Sequence, residues 1–94
     1  MKYVEWNEEK NKKLKSERGI GFEEIEIAIE EKKNILDVVE HPNKKRYLNQ
    51  KILIIRIDNY AYLVPYVEDE EKIFLKTIIP NKKATKKYII GGKK

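Results

Sequence analysis

The chain has 94 residues, with 21 Lys plus Arg against 16 Asp plus Glu and a net charge of +5. That length suits one domain (residues 1–94) with a modest core and no separate lid or cofactor domain. With no cysteine, one histidine and no apolar run near the ~18 residues of a membrane span, disulfides, thiol chemistry, multi-histidine metal sites and membrane insertion are excluded, and no cofactor is expected.

Residues 2–6 alternate enough for a short first strand, without the apolar core of a signal peptide. Asn7 is a good N-cap, and Glu8 and Glu9 place negative charge where the helix dipole favours it. The helix is expected to run to Arg18 and to end on Gly19 in the left-handed conformation. Its only apolar residue is Leu14, so it should be loosely held. Helix two is clearer, because Phe22, Ile25 and Ile29 follow the i, i+3, i+4 spacing of a core-facing stripe among glutamates.

After Asn34 the period changes to two. Residues 35–40 read as a strand, His41-Pro42-Asn43 as a break and Lys44-Lys45-Arg46 as a basic turn. Residues 51–57 and 60–67 flank Asp58-Asn59, which predicts a tight hairpin. Residues 73–79 read as the last meander strand, and Pro65 calls for an edge position or a bulge. Pro80-Asn81 should stop the sheet, and residues 82–90 should form a short basic helix before a flexible tail at 91–94. The expected class is α+β: N-terminal helices, an antiparallel β-meander and a basic C-terminal helix.

The charge is unevenly divided. Residues 1–34 carry eight Lys/Arg and nine acids, and residues 35–71 carry five and seven. Residues 72–94 hold eight lysines (72, 76, 82, 83, 86, 87, 93 and 94) and no acid. Such a segment suits a polyanion, because phosphate contacts release counterions; it equally suits a solvated, solubilising surface. Tyr60, Tyr62 and Tyr66 share one parity with Val64, so they point to one face, either to stack unpaired bases or to cover a half-exposed sheet.

His41 is the one side chain that titrates near neutrality without help, and Arg46 follows it closely. RNA cleavage needs a proton removed from a 2′-hydroxyl, a proton given to the leaving oxygen and cations around the phosphorane. The alternative for His41 is a plain surface residue. Gly19-Ile20-Gly21 lacks the preceding strand and the lysine of a phosphate loop, and Asp58, Asp69 and Glu70 fall at turns rather than in a metal cluster.

Val4-Glu5-Trp6-Asn7-Glu8-Glu9-Lys10, followed by Arg18-Gly19-Ile20-Gly21-Phe22-Glu23-Glu24, resembles the opening of BrnT-type toxins, E-W-D-x-x-K and then K-H-G-V-S-F-E-E. His41-Pro42 with Arg46 resembles the family's H-S stretch and its downstream arginine, and Tyr62-Leu63-Val64-Pro65-Tyr66 its V-V-Y strand. Ile78-Ile79-Pro80-Asn81-Lys82-Lys83-Ala84 is similar to its I-I-S-A-R-x-A signature. The likeness spans about residues 4–88. It implies a RelE-like fold and the toxin half of a type II toxin–antitoxin pair, a cytoplasmic, metal-independent endoribonuclease cutting mRNA, free or on the ribosome. It also implies a cognate antitoxin encoded beside it, and operator DNA reached only through that antitoxin. His41, Arg46 and Lys82 then take the catalytic places. On the charge and strand parity above, Lys76, Lys83, Lys86, Lys87, Tyr62 and Tyr66 are the expected nucleic-acid-binding residues. The sequence departs from the family in carrying Arg18 for the K-H-G histidine, Lys82 for the S-A-R arginine and Thr77 where an arginine often stands. The open alternatives are a non-catalytic nucleic-acid-binding module and an interaction protein neutralised by a partner.

Overall fold

The elements follow the expected order with one break. The computed structural model describes residues 2–43, 45–46 and 49–91, so Lys44 of the basic turn and the tail at 92–94 lie outside the described residues. The chain is α+β and runs β1 (Tyr3–Trp6), α1 (Glu8–Arg18), α2 (Phe22–Glu31), β2 (Ile35–Glu40), β3 (Gln50–Ile57), β4 (Tyr60–Glu68), β5 (Lys72–Leu75) and β6 (Ile79–Pro80). It ends in one α-helical turn, α3 (Lys82–Ala84), that widens into a π-helix at Thr85–Ile90. No helix among the described residues is long and apolar enough to cross a membrane.

The strands form one sheet in the order β1-β5-β4-β3-β2, with β6 also beside β4. The meander β2 to β5 is antiparallel, and Asp58 and Asn59 both take positive φ (53° and 64°), the backbone of a type I′ hairpin turn. β1 instead runs parallel to β5, with Tyr3 opposite Lys72 and Trp6 opposite Leu75. The sheet is therefore mixed: the expected antiparallel meander spans β2 to β5, and β1 adds a parallel edge. Periodicity tells which residues share a face, but not which strand a given strand joins.

The single strand expected over 73–79 is two. β5 pairs with Tyr66–Glu68 and β6 with Tyr62 and Leu63, leaving residues 76–78 out of the ladder. Pro65 of β4 stands opposite this gap, and its carbonyl accepts from Lys76 N–H at 2.8 Å. Proline's missing donor thus falls where no strand asks for one, which accounts for a proline inside a central strand.

Two layers cover the sheet. On one face Leu53, Ile55, Val64, Tyr66, Leu75 and Ile78 pack against Leu14, Ile20, Phe22, Ile25 and Ala28. On the other, Ile54 and Ala61 meet Ala84, with Leu36, Val39, Leu63, Tyr88 and Ile89 around them.

α1 is better held than its composition suggests. Asn11 is fully buried; its Oδ1 accepts from Phe22 N–H at 2.7 Å, and its Nδ2 donates to both Glu23 carboxylate oxygens at 3.1 and 3.0 Å. A polar side chain therefore does what a second leucine would otherwise do, tying α1 to the first turn of α2. Gly19 closes α1 at φ 71° as expected. A Cβ at Gly21 would lie 2.5 Å from Lys15 Cε and 2.6 Å from Glu23 Oε1, so those two side-chain ends would have to shift. Trp6 then stacks on Phe22 with ring centroids 5.7 Å apart.

Candidate nucleic-acid interface

The C-terminal helix is built as an outward rack of lysines. Ala84 and Thr85 are buried and Tyr88 and Ile89 half-buried, whereas Lys82, Lys83, Lys86 and Lys87 are all exposed. The inward residues recur at helical spacing, so the lysines are left with the solvent face. Asn81 caps the helix, its side chain accepting from Ala84 N–H at 2.7 Å. Thr85 fixes it to β4: its hydroxyl donates to the Asn81 carbonyl at 2.8 Å and accepts from Ala61 N–H at 2.9 Å. Asn81 N–H donates in turn to the Ala61 carbonyl at 3.0 Å. Further along, Tyr88 O–H donates to Asp37 Oδ2 at 2.7 Å, and Lys87 Nζ lies 5.1 Å from the Tyr88 ring centroid. The Tyr88 bond, then the Val38 N–H, hold the Asp37 carboxyl below its usual range.

Lys76 lies on the same side. Along β5 the alternation sends Ile73 and Leu75 towards the helix-covered core and Lys72 and Phe74 to the opposite face, where a cavity lined by Lys72, Phe74 and Lys76 opens.

The tyrosines point the other way. Tyr66 is 8% exposed within the main core, and burial, followed by Glu68, raises its pKa. Its ring is part of the packing and offers no face to a base, which corrects the expectation of a stacking role. Tyr62 is half-buried against the same core and meets Tyr60 edge-on at 5.7 Å. Burial first, and then Asp58 and Tyr60, push its hydroxyl pKa up, against a lowering by Arg18. Arg18 itself donates to the Ile78 carbonyl at 2.9 Å, beside β6. Arg18 thus places a cation next to the segment that leads into the C-terminal helix.

His41 and Arg46 share one small turn organised by Asn43. His41 Nδ1 accepts from Asn43 N–H at 3.1 Å, and Asn43 Oδ1 accepts from Arg46 N–H at 3.2 Å. In that arrangement Nε2 carries the proton of the neutral imidazole. His41 is half-buried and Arg46 exposed.

The two groups stand at opposite ends of the sheet. His41 N–H bonds to Gln50, which pairs with Val67 of β4, while Asn81, next to Lys82, bonds to Ala61 of the same strand. At ~3.3 Å per residue these anchor points are about 20 Å apart. The expected catalytic set of His41, Arg46 and Lys82 is therefore split, with His41 and Arg46 together and Lys82 remote. Among the described residues no three His, Asp or Glu side chains converge as metal ligands would. Comparison with protein-family models, curated proteins and solved structures finds no match for this chain.

Proposed function

We propose that the protein is an RNA-directed toxin of the RelE/BrnT-like kind, the toxin half of a type II pair, which cuts mRNA in the cytoplasm without a metal. The observation that carries the reading is the lysine rack. Lys82, Lys83, Lys86 and Lys87 face outward together from a helix capped and bolted to the sheet, so this stretch of the acid-free segment is a fixed surface. Four cations held in register supply the salt-dependent attraction on which phosphate binding rests.

In this reading the roles divide along the 20 Å of β4. The lysine rack, with Lys76, holds the RNA backbone. Cleavage belongs to the His41–Arg46 turn, where the 2′-oxygen gives its proton to His41 and attacks phosphorus, the bond to the 5′-oxygen breaks with that oxygen taking a proton from water, and Arg46 faces the charge that builds on the phosphorane. Taking the 2′-proton at Nε2 requires the other imidazole tautomer and release of the Asn43 N–H from Nδ1. The antitoxin, encoded beside the toxin gene, would block one or both ends.

Purified protein incubated with mRNA in EDTA tests this directly. The expectation is cutting by the wild type, loss of kcat in His41→Ala and Arg46→Ala, and a raised KM with kcat kept in Lys82→Ala. Intact RNA with the wild type removes the nuclease. A second reading, binding without cleavage, is favoured by the Asn43 bond to Nδ1. It predicts the same salt-dependent binding with the RNA left whole. Co-purification with the product of the neighbouring gene tests the pairing.

A further inference from the structure

The C-terminal helix covers only part of its face of the sheet. Its apolar partners lie on β2, β3 and the first part of β4. Beyond it, on β1, β5 and the end of β4, no helix among the described residues covers the same face. Tyr3 and Glu5 of β1 stand opposite Lys72 and Phe74 of β5, and Val67 stands opposite Phe74 from the other side. Tyr3 is 73% exposed, and half-buried Phe74 and Val67 line a shallow cavity of about 350 Å³ with Asn49, Glu68, Asp69, Lys72 and Lys76. The acids nearby are engaged: Glu5 pairs with Lys72 at 3.4 Å, Glu68 pairs with Lys2, and Asp69 accepts from Glu71 and Lys72 N–H at 2.8 Å. Among the described residues Lys76 forms no ion pair with any of them.

From this we infer that the open half of the face is a stacking platform for unpaired bases of single-stranded RNA, with the Phe74 ring as its floor, Tyr3 as its flank and Lys76 as the first phosphate contact. The inference rests on the RNA reading above and adds to it the strandedness of the substrate and the route it takes. Lys76 is tied to Pro65 and Lys82 stands next to Asn81 on Ala61, so the platform and the lysine rack are about 13 Å apart along β4. A strand laid on the platform thus continues onto the rack without leaving the face. A duplex cannot use the platform, because its bases are already stacked on each other. Aromatic rings on an open sheet flanked by cations meet the two needs of single-strand binding, a π-face for the base and charge for the backbone.

The test is binding of a labelled oligouridine, and of a duplex of equal length, to the full chain and three variants. Phe74→Leu keeps an apolar side chain and removes the ring. It should weaken oligouridine binding by roughly 5- to 100-fold, leave duplex binding unchanged and keep the salt slope of the wild type. Phe74→Trp should restore affinity, and its added fluorescence should be quenched by oligouridine but not by inorganic phosphate. Lys76→Gln should lower the salt slope by about 0.7. If Phe74→Leu binds oligouridine like the wild type while neutralising Lys82, Lys83, Lys86 and Lys87 abolishes binding, the platform is wrong and the RNA reading survives. Equal loss on single strand and duplex also overturns the platform. If Phe74→Leu instead loses only the neighbouring gene product, the face is a protein dock. No binding by the wild type removes both readings.

Discussion

The two faces of this sheet are closed by opposite means. On one, two helices seal a continuous apolar core, and the outer surface of α2 carries Glu23, Glu24, Glu26, Glu30 and Glu31. On the other, a short helix covers a smaller cluster around Ile54 and Ala61, turns four lysines outward and, among the described residues, does not reach β1 and β5. The first face supplies most of the folding energy and the second most of the charge. The contrast teaches that the segment best suited to meet a polyanion is also the one that contributes least to the core. Its position is accordingly fixed by a few hydrogen bonds together with the small apolar cluster around Ala84.

Substitutions that strike each face separately should break this contrast. The largest effect belongs to Phe22→Ala. Phe22 is fully buried and stacked on Trp6, so the change should cost ~3–5 kcal/mol of unfolding free energy in a denaturant titration. Next comes Asn11→Leu, which preserves volume but strands the buried Phe22 N–H and the partner of Glu23. Despite its added apolar area it should destabilise by ~1–3 kcal/mol, and a more stable variant would sink the view that α1 is held by a polar bolt. On the second face Thr85→Val should cost ~1–2 kcal/mol by removing the acceptor of Ala61 N–H. Neutralising Lys82, Lys83, Lys86 and Lys87 together should change stability by less than ~0.5 kcal/mol. It should also cut the salt slope of RNA binding by about 2.8, separating charge from fold.

Much of this was legible in the residues. The caps at Asn7 and Gly19, the stripe Phe22–Ile25–Ile29, the hairpin at Asp58-Asn59 and the trouble at Pro65 each follow from local chemistry that acts over a few positions. The outward lysines were readable in the same way, since Ala84, Thr85, Tyr88 and Ile89 already mark the inward stripe. What failed depended on partners far away in sequence. The parity of Tyr60, Tyr62 and Tyr66 was right, but parity does not say which face receives α1 and α2, and that face took Tyr66 into the core and packed Tyr62 against it. The parallel docking of β1 on β5 joins residues 3–6 to 72–75 and carries no local signal. Asn11 looked like one more polar residue on a weak helix until Phe22 was brought to it. The separation of His41 from Lys82 follows from the register of β4, which sets which loops lie at which end. One signal was overlooked: Lys72, Phe74 and Lys76 alternate with Ile73 and Leu75, which already places an aromatic ring between two cations on one side of a strand.

The smallest effect sharpens the comparison most, because it concerns the joint between the lysine helix and β2. Tyr88→Phe removes only the donor to Asp37 Oδ2 and keeps the ring that packs against the cluster of Ile54, Ala61 and Ala84. Asp37 has its pKa lowered from 3.8 chiefly by that donor, so the stabilisation is full above the ordinary carboxylate range and is lost as pH falls through the lowered value. The wild type should therefore be slightly more stable than Tyr88→Phe at pH 7, and the two melting curves should converge as the solution is taken below about pH 3.8. Glu23 is likewise lowered from 4.5, by its own backbone N–H first and then by Asn11 and Lys15, so the helix-covered face also weakens with acid. Comparing Tyr88→Phe with Asn11→Leu across the same pH range separates the two joints. Convergence in the first without change in the second assigns the acid response below pH 3.8 to the lysine helix. A gap for Tyr88→Phe that stays constant with pH would mean that the Tyr88 hydroxyl does not act through the Asp37 carboxylate.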